Sequence, residues 1–248
     1  MSQIHLSVII PAYNEEKRLP KTLDDISAYL EKQDYESEII VVDGGSNDRT
    51  PDIVKERMPH VKNLQLLRKE DTGGKGGAVK AGMLKAQGKF RLFTDADNST
   101  SVDQVEKMWP EFNKGYDVVI GSRDVKGAVL DPPQPWIRNI LLGESFKIYR
   151  KIIIGLWGLE DTQCGFKCFK DEVAEKVFPL AKIKAFAFDP EVLILTKKFG
   201  YKIKEVPVHW KNDPNSKVSF KNMIQMAVDM LKIKWYVVSK SYDKEEKR

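Results

Sequence analysis

Two aspartates separated by one residue, Asp95 and Asp97, close an apolar run that begins at Phe90. Two hard carboxylates at a strand end can face a single divalent cation. Mg²⁺ and Mn²⁺ take few protein carboxylates and complete their shells with water and substrate phosphates. The same pair suits a solvated turn, and spacing alone leaves both open. Two more polar clusters follow apolar runs: Pro11-Ala-Tyr-Asn-Glu-Glu16 and Asp43-Gly-Gly-Ser-Asn-Asp48. Asp43 offers a third carboxylate, while Ser46, Asn47 or Asp48 can cap a helix opening at Thr50-Pro51. Gly73-Gly-Lys-Gly-Gly77 also opens a helix, where backbone donors and the Lys75 cation can meet a phosphate. It is neither G-x-G-x-x-G nor a Walker A loop, which argues against a dehydrogenase or P-loop enzyme.

The elements that must position these groups alternate. β-branched runs at Leu6–Ile10, Glu38–Asp43, Leu64–Arg68, Phe90–Asp95 and Asp117–Gly121 are separated by helix-like segments at Leu19–Lys32, Thr50–Met58, Gly76–Ala86 and Val102–Asn113. The alternation predicts right-handed β-α-β units and a mainly parallel sheet, whose ligands bind beyond the carboxyl ends of the strands. All three acidic clusters fall at those ends. The second half reads differently. Trp136–Leu159 mixes Ile, Leu and aromatics with Arg138, Lys147, Arg150 and Lys151. A helix at Glu191–Phe199 and a strand at Ile203–His209 follow. Phe220–Val238 has helical period, with Phe220, Met223, Ile224, Ala227, Met230 and Leu231 on one face and Lys221, Gln225, Asp229 and Lys232 on the other. Asp243–Arg248 reads as a frayed charged tail.

Composition sets wider bounds. A chain of 248 residues, 42% hydrophobic and 31% charged, can bury a substantial core. Cys164 and Cys168 make no disulfide framework and no C-x-x-C site, so they read as reduced thiols. No secretory signal and no membrane-spanning apolar stretch is visible. Residues 200–248 carry 11 Lys+Arg against 6 Asp+Glu, which accounts for the whole net charge of +5. A basic C-terminal end suits an anionic membrane surface; without a recognition motif, nucleic acid is not expected as a partner.

Taken in order, VIIPAYNEE, VVDGGSNDRT, GGKGGAVKAG and FTDADNST resemble the inverting GT-A glycosyltransferases of family two. VIGSR at Val119–Arg123, DTQCGFKCF at Asp161–Phe169, AFDPEVL at Ala187–Leu193 and NSKVSF at Asn215–Phe220 narrow the resemblance to the polyprenyl-phosphate hexosyltransferases, in particular those that glucosylate dolichyl phosphate. It covers roughly residues 6–235. The resemblance implies an α/β, GT-A type, Rossmann-like three-layer fold with C-terminal amphipathic helices. It divides the chain into a glycosyltransferase domain over 1–218, with a nucleotide-sugar half at 1–125 and an acceptor half at 126–218, followed by an amphipathic helix and tail at 219–248.

It also implies residue roles. Pro11, Tyr13, Glu15 and Asp43 would hold the nucleoside, Asp43 facing the base, with Lys75 beside the nucleotide. Asp95 and Asp97 would approach Mg²⁺ or Mn²⁺ and the sugar diphosphate, Asp97 as the surer ligand. Ser99 stands where some relatives carry Gln. Arg123 and Arg138 would engage the acceptor phosphate, with Lys217 a further candidate, and Asp189 would serve positioning or structure. The implied reaction is inverting transfer of a hexose from a nucleotide sugar, UDP-glucose favoured over GDP-mannose or UDP-N-acetylglucosamine, to dolichyl or polyprenyl phosphate. The implied setting is cytoplasmic and peripheral to a membrane, with Trp136–Leu159 and Phe220–Tyr236 as interfacial helices or plain core helices. A sugar-1-phosphate nucleotidyltransferase and a non-catalytic nucleotide-sugar sensor are the competing readings.

Overall fold

The computed structural model describes residues 3–132, 145–211 and 220–246. The strands are β1 (Leu6–Ala12), β2 (Ser37–Asp43), β3 (Leu64–Arg68), β4 (Phe90–Thr94), β5 (Val118–Ser122), β6 (Val129–Asp131), β7 (Phe166–Lys170), β8 (Ile203–Pro207) and β9 (His209–Lys211). Seven form one sheet in the order β3-β2-β1-β4-β7-β5-β8, parallel except for β7, which runs antiparallel to β4 and β5. β1, β2, β4 and β5 are buried almost throughout, as their largely apolar sequences require. Alternation along β1 sends Ile9 into one core and Val8 and Ile10 into the other, on opposite faces of the sheet.

Helix α1 (Leu19–Leu30) and α2 (Thr50–Arg57) pack on the second face through Leu19, Leu23, Ile26 and Val54. Helix α3 (Lys75–Lys85) covers the first through Val79 and Met83. The three layers, with a mainly parallel sheet between, are those expected.

Several elements depart from expectation. Residues Val102–Lys107 form a 3₁₀ turn and only Trp109–Asn113 (α4) is α-helical. Pro110 lacks an N–H and its ring opposes the carbonyl one turn earlier, so one continuous helix is not available. Residues 136–144 of the Trp136–Leu159 stretch lie outside the described residues, and its helix α5 (Ser145–Ile154) ends at Gly155, whose φ of +71° suits a left-handed terminator. The strand at Ile203–His209 divides after Pro207, and His209–Lys211 pairs instead with β6.

Helix α6 (Asp171–Val177) follows β7, and α7 (Phe188–Lys198) starts before the expected Glu191. In α8 (Phe220–Val238) it is Met226, Met230 and Ile233 that enter the core. Asp229, expected on the solvent face, is buried at 3% exposure and accepts from Gln225 Nε2 (2.9 Å) and Lys232 Nζ (2.7 Å). Ile224 and Leu231 are instead half exposed, because this helix carries two apolar stripes and the core takes one. The expected tail is helical over Ser241–Glu246 (α9), where fully buried Tyr242 donates to Glu191 Oε1 at 2.8 Å.

Candidate active site

Parallel order brings the loops after β1, β2 and β4 to one edge of the sheet, and hydrogen bonds join the first two. Asn14 N–H donates to Ser46 Oγ (2.9 Å), Glu15 N–H to Thr50 Oγ1 (2.8 Å) and Glu16 N–H to Asp48 Oδ2 (3.1 Å). Asp48 also accepts the Thr50 N–H at the start of α2, so this loop serves both the helix end and the site edge. Pro11 is the penultimate residue of β1, and Tyr13 just beyond it is half exposed. Glu15 is buried and takes Arg18 on both oxygens, at 2.7 and 2.8 Å.

Asp43 is fully buried at the end of β2. Its Oδ1 accepts the Ser46 N–H at 3.1 Å, while Oδ2 has no hydrogen-bond partner and Arg68 Nε stands 3.6 Å away. Buried acceptors are rarely left so, and a ligand N–H would complete this one.

Asp95 and Asp97 follow β4. Lys75, at the start of α3, contacts Asp95 Oδ1. Asp97 accepts the Ser99 N–H at 2.9 Å, with Arg18 3.8 Å from its other oxygen. Burial, and then the charge of Asp95, push the Asp97 pKa above the ordinary carboxylate value. Burial lowers the Lys75 pKa, but Asp95 and Asp189 outweigh it and hold the ammonium above its usual value. Gly165 lets the chain pass this close: a Cβ there would lie 2.0 Å from Asp95 Oδ2.

No group of three or more His, Cys, Asp or Glu is arranged for a metal among the described residues. Two carboxylates at one strand end nevertheless fit Mg²⁺ or Mn²⁺, which leave positions for diphosphate oxygens and water.

Asp189, in the first turn of α7, is 2% exposed and paired at 2.5 Å with Lys167, itself fully buried in β7. Lys167 also donates to the Cys164 carbonyl. Burial raises the Asp189 pKa against the pull of Lys167 and Lys75. An alternating series Lys167–Asp189–Lys75–Asp95 thus runs under the Asp95–Asp97 edge. Both cysteines are buried and free, and burial pushes the Cys164 thiol up to about 11, as suits an unreactive thiol.

Arg123, just past β5, is held by Asp161: Nε donates to Oδ2 at 2.6 Å, Nη2 to Oδ1 at 3.0 Å and the backbone N–H to Oδ2 at 3.1 Å. Its guanidinium lies 5.4 Å from the Trp210 ring centroid. Asp161 is buried; burial alone would raise its pKa, yet Arg123 holds the carboxyl well below the usual range. Glu205 in β8 anchors the same loop by accepting the Glu160 and Asp161 N–H groups, both at 2.8 Å.

Asp161, Glu205 and Trp210 were not singled out in the sequence, although Asp161 opens one of the quoted motifs. Arg150 is 1% exposed, donates to the Leu159 carbonyl at 2.8 Å and has no partner for Nε or Nη1. Arg138 and Lys217 lie outside the described residues.

Comparison with known proteins supplies the fold and the family. A crystal structure of glucosyl-3-phosphoglycerate synthase from Mycobacterium tuberculosis, in complex with Mn²⁺, UDP and glucosyl-3-phosphoglycerate, shares the fold with a TM-score of 0.65 at 18% identity, over 93% of this chain and 78% of that one. A dolichyl-phosphate beta-glucosyltransferase from Dictyostelium discoideum is 39% identical over 95% of this chain and 75% of its own length. One from Trichomonas vaginalis is 37% identical over 93% and 73% respectively. Residues 7–178 match the model of glycosyl transferase family 2. With the site edge, the fold and these relatives in agreement, the chain belongs to glycosyl transferase family 2 and is a glycosyltransferase.

Proposed function

We propose that the chain transfers glucose from UDP-glucose to dolichyl or another polyprenyl phosphate, in the presence of Mg²⁺ or Mn²⁺, giving a β-linked lipid-phosphate sugar. The observation that carries the reading is the sheet edge itself, where an orphaned Asp43 oxygen, the Asp95–Asp97 pair and Arg123 follow one another in strand order. The relatives named for glucosylation of dolichyl phosphate supply the substrates.

In this reading Asp43 accepts the base N–H, with Pro11, Tyr13 and Glu15 around the nucleoside. Asp95 and Asp97 would hold the cation, Asp97 as the surer ligand, and a cation held there would supply charge neutralisation for the departing diphosphate. Lys75 turns from Asp95 to the same phosphates. Arg123, with Arg138 and Lys217, orients the acceptor phosphate. One phosphate oxygen attacks C1 from the face opposite the diphosphate; the new C1–O bond forms as the old one breaks, and UDP leaves. The acceptor is already an anion, so no proton need be removed. Asp189 then acts as a positioning residue through Lys75.

An isoprenoid tail requires an interface. Helices α5 and α8 pack together, Tyr149 donating to the Ala227 carbonyl at 3.0 Å. Together they expose Ile148 and Ile152 beside Ile224, Val228, Leu231, Trp235 and Val238, with Lys232 and Lys234 exposed among them. No helix among the described residues is long and apolar enough to cross a membrane. This face instead suits seating on anionic lipid headgroups.

Purified protein, short-chain polyprenyl phosphate, Mn²⁺ or Mg²⁺ and a panel of labelled UDP- and GDP-sugars test the proposal. The expected product is a lipid-linked glucose from UDP-glucose. Nucleotide binding without transfer from any donor would replace the enzyme reading with a sensor.

A further inference from the structure

The loop before β7, Asp161-Thr-Gln-Cys-Gly165, is unevenly satisfied. Its backbone is well held: Gln163 and Cys164 N–H groups donate to Asp161 Oδ1 at 3.0 and 3.1 Å, and Glu205 holds the entry. Two of its side chains are not. Thr162 Oγ1 and Gln163 Nε2 are buried and have no hydrogen-bond partner. A rigid backbone bearing orphaned polar side-chain atoms is the arrangement a ligand completes.

The position of the loop says which part of a ligand. Phe166, one residue past the loop, pairs with Thr94, so the loop stands beside the end of β4. At one end Gly165 passes so near the Asp95 carboxylate that a Cβ would overlap it, and at the other Asp161 grips Arg123. Thr162 and Gln163 therefore fall between the diphosphate side and the acceptor side. The transferred sugar must occupy that interval, and its exposed chemistry is hydroxyl groups.

We propose that Gln163, assisted by Thr162, reads the hydroxyls of the transferred hexose and sets which hexose is accepted. The assignment rests on the sugar-transfer reading above. A neutral amide that donates to a sugar hydroxyl adds little to UDP affinity and acts on the sugar, because a polar group left unpaired by the wrong hydroxyl pattern opposes binding.

The test compares wild type with Gln163→Met, Gln163→Glu and Thr162→Val. Transfer is measured from UDP-glucose, UDP-galactose and UDP-deoxyglucoses lacking single hydroxyls, and UDP affinity is measured by calorimetry with Mn²⁺. The expected result is a fall of about tenfold or more in kcat/KM for UDP-glucose in both Gln163 variants. The preference for glucose over one deoxy analogue should shrink with it, while UDP affinity is unchanged. An unaltered donor ranking in all three variants overturns the assignment, as does UDP affinity that falls in step with transfer. A wild-type chain that binds UDP and transfers no sugar removes the underlying reading and this assignment with it.

Discussion

The two ends of the site hold their charges differently. On the proposed donor side Asp95 and Asp97 have Lys75 against the first and Arg18 at 3.8 Å from the second, and buried Asp43 keeps one oxygen without a hydrogen bond. On the proposed acceptor side Arg123 has a carboxylate of its own, gripped twice, and that carboxylate is fixed by its loop. A ligand would thus complete a loosely paired set of carboxylates on one side and meet a self-sufficient ion pair on the other. The donor side should answer strongly to cation and nucleotide, while the acceptor side should stay much the same whether or not it is filled.

The sharpest break in that contrast is Asp97→Asn. Loss of one of two metal carboxylates should lower transfer by about a thousandfold, given the several kcal/mol a bound cation supplies, and should weaken Mn²⁺ binding in calorimetry with the thermal midpoint preserved. Full activity in this variant would remove the metal role. On the acceptor side the matching change, Asp161→Asn, should act on folding. Breaking a buried pair leaves Arg123 uncompensated and costs about 3–5 kcal/mol in denaturant unfolding.

Its pH dependence follows from the lowered Asp161 pKa. The contribution is complete above the unfolded aspartate value of about 4 and is lost as pH falls below it through the folded value, so the variant should have a flatter acid limb.

Smaller effects refine the contrast. Replacing the outward Trp235 and Ile152 by Glu should reduce partition onto anionic vesicles by about tenfold or more, the scale of withdrawing one large apolar side chain from lipid, with transfer to a water-soluble short-chain acceptor retained. Equal vesicle binding would move the membrane contact elsewhere. Lys75→Met should raise Mn²⁺ affinity in the absence of nucleotide by about tenfold, the effect of removing a competing cation at effective surface dielectric, while weakening UDP. Unchanged Mn²⁺ affinity would show that Lys75 and the cation do not compete for Asp95.

The same contrast explains what could be read in the sequence. The residues proposed for the donor side stand in short contiguous motifs, because each β-α unit returns its strand end to one edge; the alternation was enough to bring the clusters after β1, β2 and β4 to that edge, while the roles of Pro11, Glu15, Asp43, Lys75 and Asp95 came from the family resemblance. The acceptor side is assembled across distance. Asp161 meets Arg123 through a loop 38 positions later, and Glu205 joins them from β8.

Nothing in a local pattern announces such a network, nor the antiparallel β7, which has no helix-strand alternation to mark it. Helix α8 misled for another reason: a helical period shows that an apolar face exists but not which of two stripes the core will take, and that was decided by Met226, Met230 and Ile233.

Tyr242 matters to anyone who shortens or tags this protein. Its phenol meets Glu191, which also accepts the backbone N–H groups of Lys182 (2.9 Å) and Ile183 (2.8 Å), and the next carbonyl along, Lys184, takes the Gly77 N–H at 3.1 Å. Cutting at residue 240 would therefore remove a peg rather than a loose end. The slack would run through the Lys182–Lys184 turn to the glycine loop that carries Lys75, well away from the cut.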